Sequence, residues 1–141
     1  MANYDGMFRS SYFKVKDIKA FLDWFNGWCS EAEAWNDQGD GTVGFGGYDH
    51  IPQDKWVYEE DEEGNIITDD PIEADFFEEL AQHLEEGWAV LIIYIGWEKL
   101  RYLTAMSFVV YADGTINSFD AYQMAIDDAK KNAKHWSYSE Y

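Results

Sequence analysis

Between Phe13 and Lys16 apolar and basic residues alternate, inside a run from Phe8 to Lys16 that is rich in aromatic and β-branched side chains, and this predicts a strand. The period changes at Asp17. Ile18, Phe21, Leu22 and Phe25 recur at the i, i+3, i+4, i+7 spacing of one helical face, with Asp17 as N-cap and Asn26-Gly27 as the stop, so a first helix is expected there. Glu31 to Trp35 and Thr42 to Tyr48 flank the turn residues Asp37-Gln38-Gly39-Asp40-Gly41. They are expected to pair as a loose hairpin, weakened by Gly44, Gly46 and Gly47. Trp56-Val57-Tyr58 and Ile66-Ile67-Thr68 flank an acidic stretch that reads equally as the tip of a second hairpin or as a loop.

Asp70-Pro71 is a cap residue followed by the proline suited to a first helical position. Ile72, Phe76, Phe77, Leu80 and Leu84 supply the apolar stripe of a second helix, closed by Gly87. Trp88 to Ile95 is an unbroken apolar run and Leu100 to Tyr111 a second long segment, which predicts two central strands joined as a hairpin. Asp113-Gly114 then joins Phe108–Tyr111 to Thr115–Phe119 as a tight hairpin. Asp120 can cap a last helix with Tyr122, Ala125, Ile126, Ala129 and Ala133 inward, and with Lys130, Lys131 and Lys134 near its C-terminus, where the helix dipole favours cations. The order β-α-β-β-α-β-β-β-α predicts one α+β domain over residues 1–141: an antiparallel sheet with about three helices packed mainly on one face.

Charge changes this picture. The chain carries 28 acids against 10 bases, a net of -18. Between Trp56 and Glu98 stand fourteen of the acids and no Lys or Arg, so the segment holds -14 and the other 98 residues only -4. The acids come in groups. Glu59, Glu60, Asp61, Glu62 and Glu63 form the first, Asp69 and Asp70 the second, and Glu73, Asp75, Glu78, Glu79, Glu85 and Glu86 follow along the second helix. Acids within a Debye length of roughly 8 Å repel one another in physiological salt, and no base inside the segment relieves them. A hydrophobic content of 47% and an aromatic content of 18% are nevertheless those of a chain that folds.

Other chemistry has less support. Glu59, Asp61, Glu63, Gly64, Asn65, Ile66 and Asp70 follow EF-hand spacing, but with Glu where the first position takes Asp and Asp where the last takes Glu, so no specific metal site is assigned. His50, His83 and His135 adjoin no Ser or Cys in a nucleophile pattern, and His83 has Glu79 one helical turn before it. Cys29, the single cysteine, reads as an inert thiol and forms no internal disulfide, which fits a reducing compartment. The glycines from Gly39 to Gly47 match no phosphate-binding loop. No catalytic residue, cofactor or metal is therefore expected. The opening Met1–Gly6 lacks the basic and apolar segments of a signal peptide, and Trp88–Ile95 is too short to span a bilayer, so the expected location is the cytoplasm.

Three roles compete for the acidic stretch. Its carboxylates could only solvate one face; they could occupy phosphate positions, since helical neighbours three and four apart lie about 5–6 Å from one another; or they could meet one particular basic enzyme. Ala2-Asn3-Tyr4-Asp5-Gly6 with Ser11-Tyr12-Phe13-Lys14-Val15-Lys16-Asp17, and Glu98-Lys99-Leu100-Arg101-Tyr102-Leu103-Thr104, resemble recurring segments of small acidic proteins carried by bacterial plasmids and phages. The company of those proteins includes antirestriction and anti-CRISPR inhibitors, several of which imitate DNA. The resemblance implies a non-enzymatic inhibitor in a bacterial host cell that binds a basic nucleic-acid-binding protein or complex of the host, with no direct contact to nucleic acid or membrane. An immunity protein that neutralises a basic toxin such as a nuclease is the alternative.

Overall fold

The structure is a computed structural model that describes residues 5–28, 30–36, 39–48, 50–55, 59–60, 62–63, 66–68, 72–98 and 101–137. In chain order the elements are β1 (Asp5–Ser10), α1 (Ile18–Asn26), β2 (Glu33–Trp35), β3 (Gly44–Tyr48), β4 (Asp54–Lys55), β5 (Glu59–Glu60), β6 (Ile66–Thr68), β7 (Ile72–Glu73), α2 (Phe76–His83), β8 (Ala89–Glu98), β9 (Arg101–Tyr111), β10 (Ile116–Asp120) and α3 (Ala121–Asn132). Six strands build one antiparallel sheet in the order β10-β9-β8-β1-β3-β2, and β4 with β7 and β5 with β6 form two further antiparallel pairs. This is the α+β class that the pattern predicts.

Register decides which face is buried. Phe8 stands opposite Tyr94, Ile92 opposite both Ser10 and Phe108, and Val90 opposite Val110, so these residues share one face of the sheet. On that face Phe8, Ser10, Val90, Ile92 and Val110 are buried. Helices α1 and α2 cover it with aromatic rings: Phe21 meets Phe13 edge-on at 5.6 Å, Phe25 and Phe76 each lie 5.5 Å from Phe45, and Phe77 lies 4.7 Å from Phe108. Trp24 of α1 stacks on Phe76 of α2 at 5.2 Å, which locks the two helices together.

Local chemistry accounts for the boundaries. Asp17 caps α1 by accepting a bond from the Ala20 amide at 2.9 Å, and Gly27 ends it, as the pattern predicts. The expected first strand is divided: β1 stops at Ser10, whose hydroxyl takes the Phe45 amide at 2.9 Å, while the Ser11 hydroxyl takes the Leu91 amide at 3.0 Å. Side-chain oxygens here replace ladder partners. Beyond this break Phe13 exchanges both backbone bonds with Val43, and Val15 pairs with Leu84 at the end of α2. The expected hairpin of residues 31–48 forms as β2–β3, and its glycines have a packing role. A Cβ on Gly44 would stand 2.7 Å from Trp35 Nε1, and one on Gly46 3.0 Å from the Phe8 carbonyl oxygen, so only glycine lets the Trp35 ring lie against β3.

The second helix differs from its sequence reading at both ends. Asp70 and Pro71, the expected start, lie outside the described residues. Asp75 is the actual cap, accepting from the Glu78 amide at 3.1 Å, because the backbone of Ile72–Glu73 is already paired with Asp54–Lys55. The helix ends at His83 rather than at Gly87, since Leu84 turns extended to pair with Val15; Gly87, at φ 86°, instead makes the turn into β8. The hairpin at Asp113-Gly114 forms as expected, with Gly114 at φ 94° and the Asp113 carboxylate accepting from the Thr115 amide at 2.9 Å. That bond holds the Asp113 pKa below the usual carboxylate range.

α3 starts where expected, capped by Asp120, but its expected inward face is not buried. Tyr122, Ala125 and Ala133 are exposed, Ile126 and Ala129 half-buried. Asp120 is at once the last residue of the outermost strand and the cap of α3, so no loop lets the helix swing back to the core. No helix among the described residues is long and apolar enough to cross a membrane.

Truncating the ring at the helix–helix–sheet junction tests this packing. Phe76→Ala should destabilise by about 3–5 kcal/mol, whereas Glu78→Gln, on the outer side of the same helix, should change stability by about 0.5 kcal/mol or less. Urea denaturation of both variants checks the difference.

Candidate functional site

The structure divides the acids of residues 59–86 into those that serve the fold and those that face water. Glu59 and Glu60 form β5, paired with β6 through a register shift, so this stretch is a hairpin rather than a loop; Glu62 and Glu63 are exposed in its turn. Asp61, Asp69 and Asp70 lie outside the described residues, as do Gly64 and Asn65 of the EF-hand-like spacing. Glu73, Asp75, Glu78, Glu85 and Glu86 are exposed on α2 and the segments that flank it. α2 is tied at its start by the Asp75 cap and at its end by the Val15–Leu84 bridge, so these five carboxylates stand on a fixed frame.

Glu79 does something else. It is half-buried, accepts from Lys55 Nζ at 2.6 Å and from Trp24 Nε1 at 3.1 Å, and so joins β4, α1 and α2. Lys55 lies one residue before the acidic segment, and its ammonium also sits 5.6 Å from the centre of the Trp28 ring. Trp28 is buried, and its Nε1 has no hydrogen-bond partner among the described residues. His83 completes this cluster, 4.8 Å from the Trp24 ring and 6.2 Å from Phe21. Burial lowers its pKa, the Glu79 carboxylate opposes that shift, and Lys16 and Lys55 add to it. These are the contacts of a neutral, packed histidine that helps hold α1 to α2.

His50 and His135 are exposed, and Cys29 lies outside the described residues. Among the described residues no three His, Cys, Asp or Glu side chains converge as metal ligands.

One surface escaped the sequence reading. The sheet face opposite the core carries Met7, Arg9, Leu91, Ile93 and Ile95, with Leu91 54% and Ile93 62% exposed. Two shallow concavities lie along it, of about 480 Å³ beside Trp35 and Tyr48 and about 840 Å³ beside Phe119 and Met124. Arg9 is held near the first by a cation–π contact of 5.2 Å with Trp35 and by donating to the Tyr12 hydroxyl at 3.2 Å. The available signal was Trp88–Ile95 itself: a strand apolar at every position needs cover on both faces, and α1 and α2 cover one.

The lowered pKa of His83 sets a direction for stability against pH. Below about pH 6.5, the ordinary histidine value, the unfolded chain takes up a proton that the folded chain resists. Stability is therefore lost as pH falls from that value toward the folded pKa. His83→Phe should flatten the part of the melting-temperature decline between neutral and mildly acid pH that this residue causes. An unchanged slope would mean that folding does not shift the titration of this histidine.

Comparison of the chain with protein-family models, with curated protein sequences and with solved structures finds no match.

Proposed function

We propose that this chain is a non-enzymatic inhibitor that occupies the basic nucleic-acid-binding channel of a bacterial defence complex, of the CRISPR or restriction type, by presenting carboxylates where the channel takes phosphates. What supports the reading is the placement of Glu73, Asp75, Glu78, Glu85 and Glu86: exposed, close in sequence on and beside one short helix, and held by a frame tied at both ends. Mimicry of a nucleic acid needs fixed charges. A mobile acidic tail would lose entropy on docking, whereas carboxylates standing on and beside a helix tied at both ends lose less.

The supply of charge is also economical. Asp75 donates its cap to α2 while remaining exposed, and Glu79 is withdrawn to hold the helix to α1 and β4. Among the described residues, the side chains of Glu73, Glu78, Glu85 and Glu86 carry no hydrogen bond or ion pair that neutralisation would break. Their mutual repulsion weakens when a cationic channel surrounds them. An immunity protein for a basic nuclease would use the same carboxylates, and the two differ in what they displace.

Expression of the chain should raise phage plating on a strain with active restriction or CRISPR immunity, and should leave plating unchanged on the strain without it. The variant Glu73→Gln, Glu78→Gln, Glu85→Gln, Glu86→Gln should lose this effect while keeping its thermal stability. Each exposed pair is worth about 0.2–1 kcal/mol, so four together should weaken binding to the purified defence complex by about fourfold to several hundredfold. Binding should weaken further as salt rises. If the complex held DNA and this chain together, each with unchanged affinity, mimicry of DNA would be excluded. Protection against a nuclease toxin in place of defence relief would establish the immunity reading.

A further inference from the structure

The C-terminal arm of the described chain, β10 with α3, is built as though something covers it. From Asp113 to Ser137 every residue is exposed except Ile126 and Ala129, which are half-buried. α3 is 12 residues long and has no buried residue. Helices of that length are marginal in water on their own and draw their stability from a packed face. β10 is the outermost strand of the sheet, paired with β9 on one side, with both of its faces exposed. An edge strand of this kind presents unpaired backbone groups to any strand that approaches. Apolar side chains adjoin it: Phe119 and Met124 (62% exposed) border the same concavity as Leu91 and Ile93, so the arm and the open sheet face form one continuous apolar surface.

We propose that this surface is the interface of a two-fold dimer with a second copy of this chain, formed by β10, α3 and the adjoining part of the open sheet face. Area, charge and symmetry favour a second copy over another partner. A compact monomer of 16.4 kDa exposes about 7,500 Å², and this chain exposes 9921 Å². The open face and the arm are part of that exposed area, and each subunit of a standard interface buries roughly 800 Å².

Charge points the same way. A chain of net -18 repels its own copy, yet residues 112–137 hold four acids (Asp113, Asp120, Asp127, Asp128) and three bases (Lys130, Lys131, Lys134), a net of -1. Two copies can meet here without crowding the carboxylates of residues 59–86. The arm is also polarised, with its acids preceding its lysines along α3. A two-fold axis perpendicular to α3 sets the helix antiparallel to its mate, which brings the Asp127-Asp128 half of one helix toward the Lys130-Lys131 half of the other. An axis perpendicular to β10 as well lets the two edge strands pair antiparallel and join the two sheets. A partner built for the acidic surface would be basic, and nothing acidic enough to attract it lies on this arm.

The dimer is independent of the acidic surface, and its test is the mass of the full chain in solution. Light scattering coupled to size exclusion at micromolar concentration should give twice 16.4 kDa. Hydrogen exchange should show α3 amides protected. Phe119→Lys with Met124→Lys should halve the mass and release the α3 amides, while amides of β8 and α1 stay protected, which separates dissociation from unfolding. A second pair of variants acts through charge alone: Lys130→Glu with Lys131→Glu, and Asp127→Lys with Asp128→Lys, should each dimerise more weakly than the original chain and associate preferentially with each other when mixed. A monomeric original chain would overturn the proposal. So would a dimer whose mass survives both the lysine variant and the charge variants.

Discussion

The contact between Phe45 and Phe76, two rings 5.5 Å apart and nearly perpendicular, is where the sheet, α1 and α2 meet. Phe45 also touches Phe8, Phe13 and Phe25, and Phe76 also touches Trp24, Phe25, Trp28 and Phe77. Edge-to-face pairs of this kind add directional preference to area burial, so each ring constrains the rotamers of its neighbours. The constraint spreads outward through polar contacts. Phe45 is seated because the Ser10 hydroxyl takes its amide, and Phe76 because Asp75 caps the helix one residue before it. Both strands around Phe45 depend in turn on Gly44 and Gly46, which leave space for the Trp35 ring on the opposite side.

That junction makes the molecule asymmetric. Among the described residues the buried aromatic side chains lie on one face of the sheet, so β8, which is apolar at nearly every position, satisfies half of its side chains there and presents Leu91, Ile93 and Ile95 on the other. Charge is sorted along with burial. The carboxylates of residues 73–86 stand on and around α2, on the covered side, whereas the apolar face and the nearly neutral arm belong to the open side. One surface is anionic and the other apolar and nearly neutral.

How far this was legible in the sequence depended on whether local chemistry had a competitor. α1 had none: Asp17, the apolar spacing and Asn26-Gly27 agree, and the helix forms between them. The Asp113-Gly114 hairpin and the β8–β9 pair were legible for the same reason. α2 had two caps five residues apart, Asp70 and Asp75, and tertiary pairing decides between them, because β4 pairs with the backbone of Ile72 and Glu73. Periodicity in α3 was real, but a stripe of apolar residues states only that a helix has a face to bury, not that the same chain supplies the cover. Of the candidate site, the exposed acids of α2 were legible as composition. The withdrawal of Glu79 was not, since its partner Lys55 lies outside the acidic segment and Trp24 is 55 residues away.

Glu79 shows how an acidic segment without a single base can still be fixed to a core. A carboxylate brought half out of water needs a cation or several donors. Within residues 56–98 there is no cation to be had, so the fold brings one from the residue before it, in β4, and sets that strand against β7 at the start of α2. Lys55 then serves twice, pairing with Glu79 and lying against the Trp28 ring, and Trp24 adds the second donor. One turn further along, burial against the Trp24 ring disfavours the charged form of His83. The short β4–β7 pair, two residues on each side, would be a weak structure by itself. It persists because it delivers the cation that allows a helix with acids on its outer side to pack its inner side on the sheet.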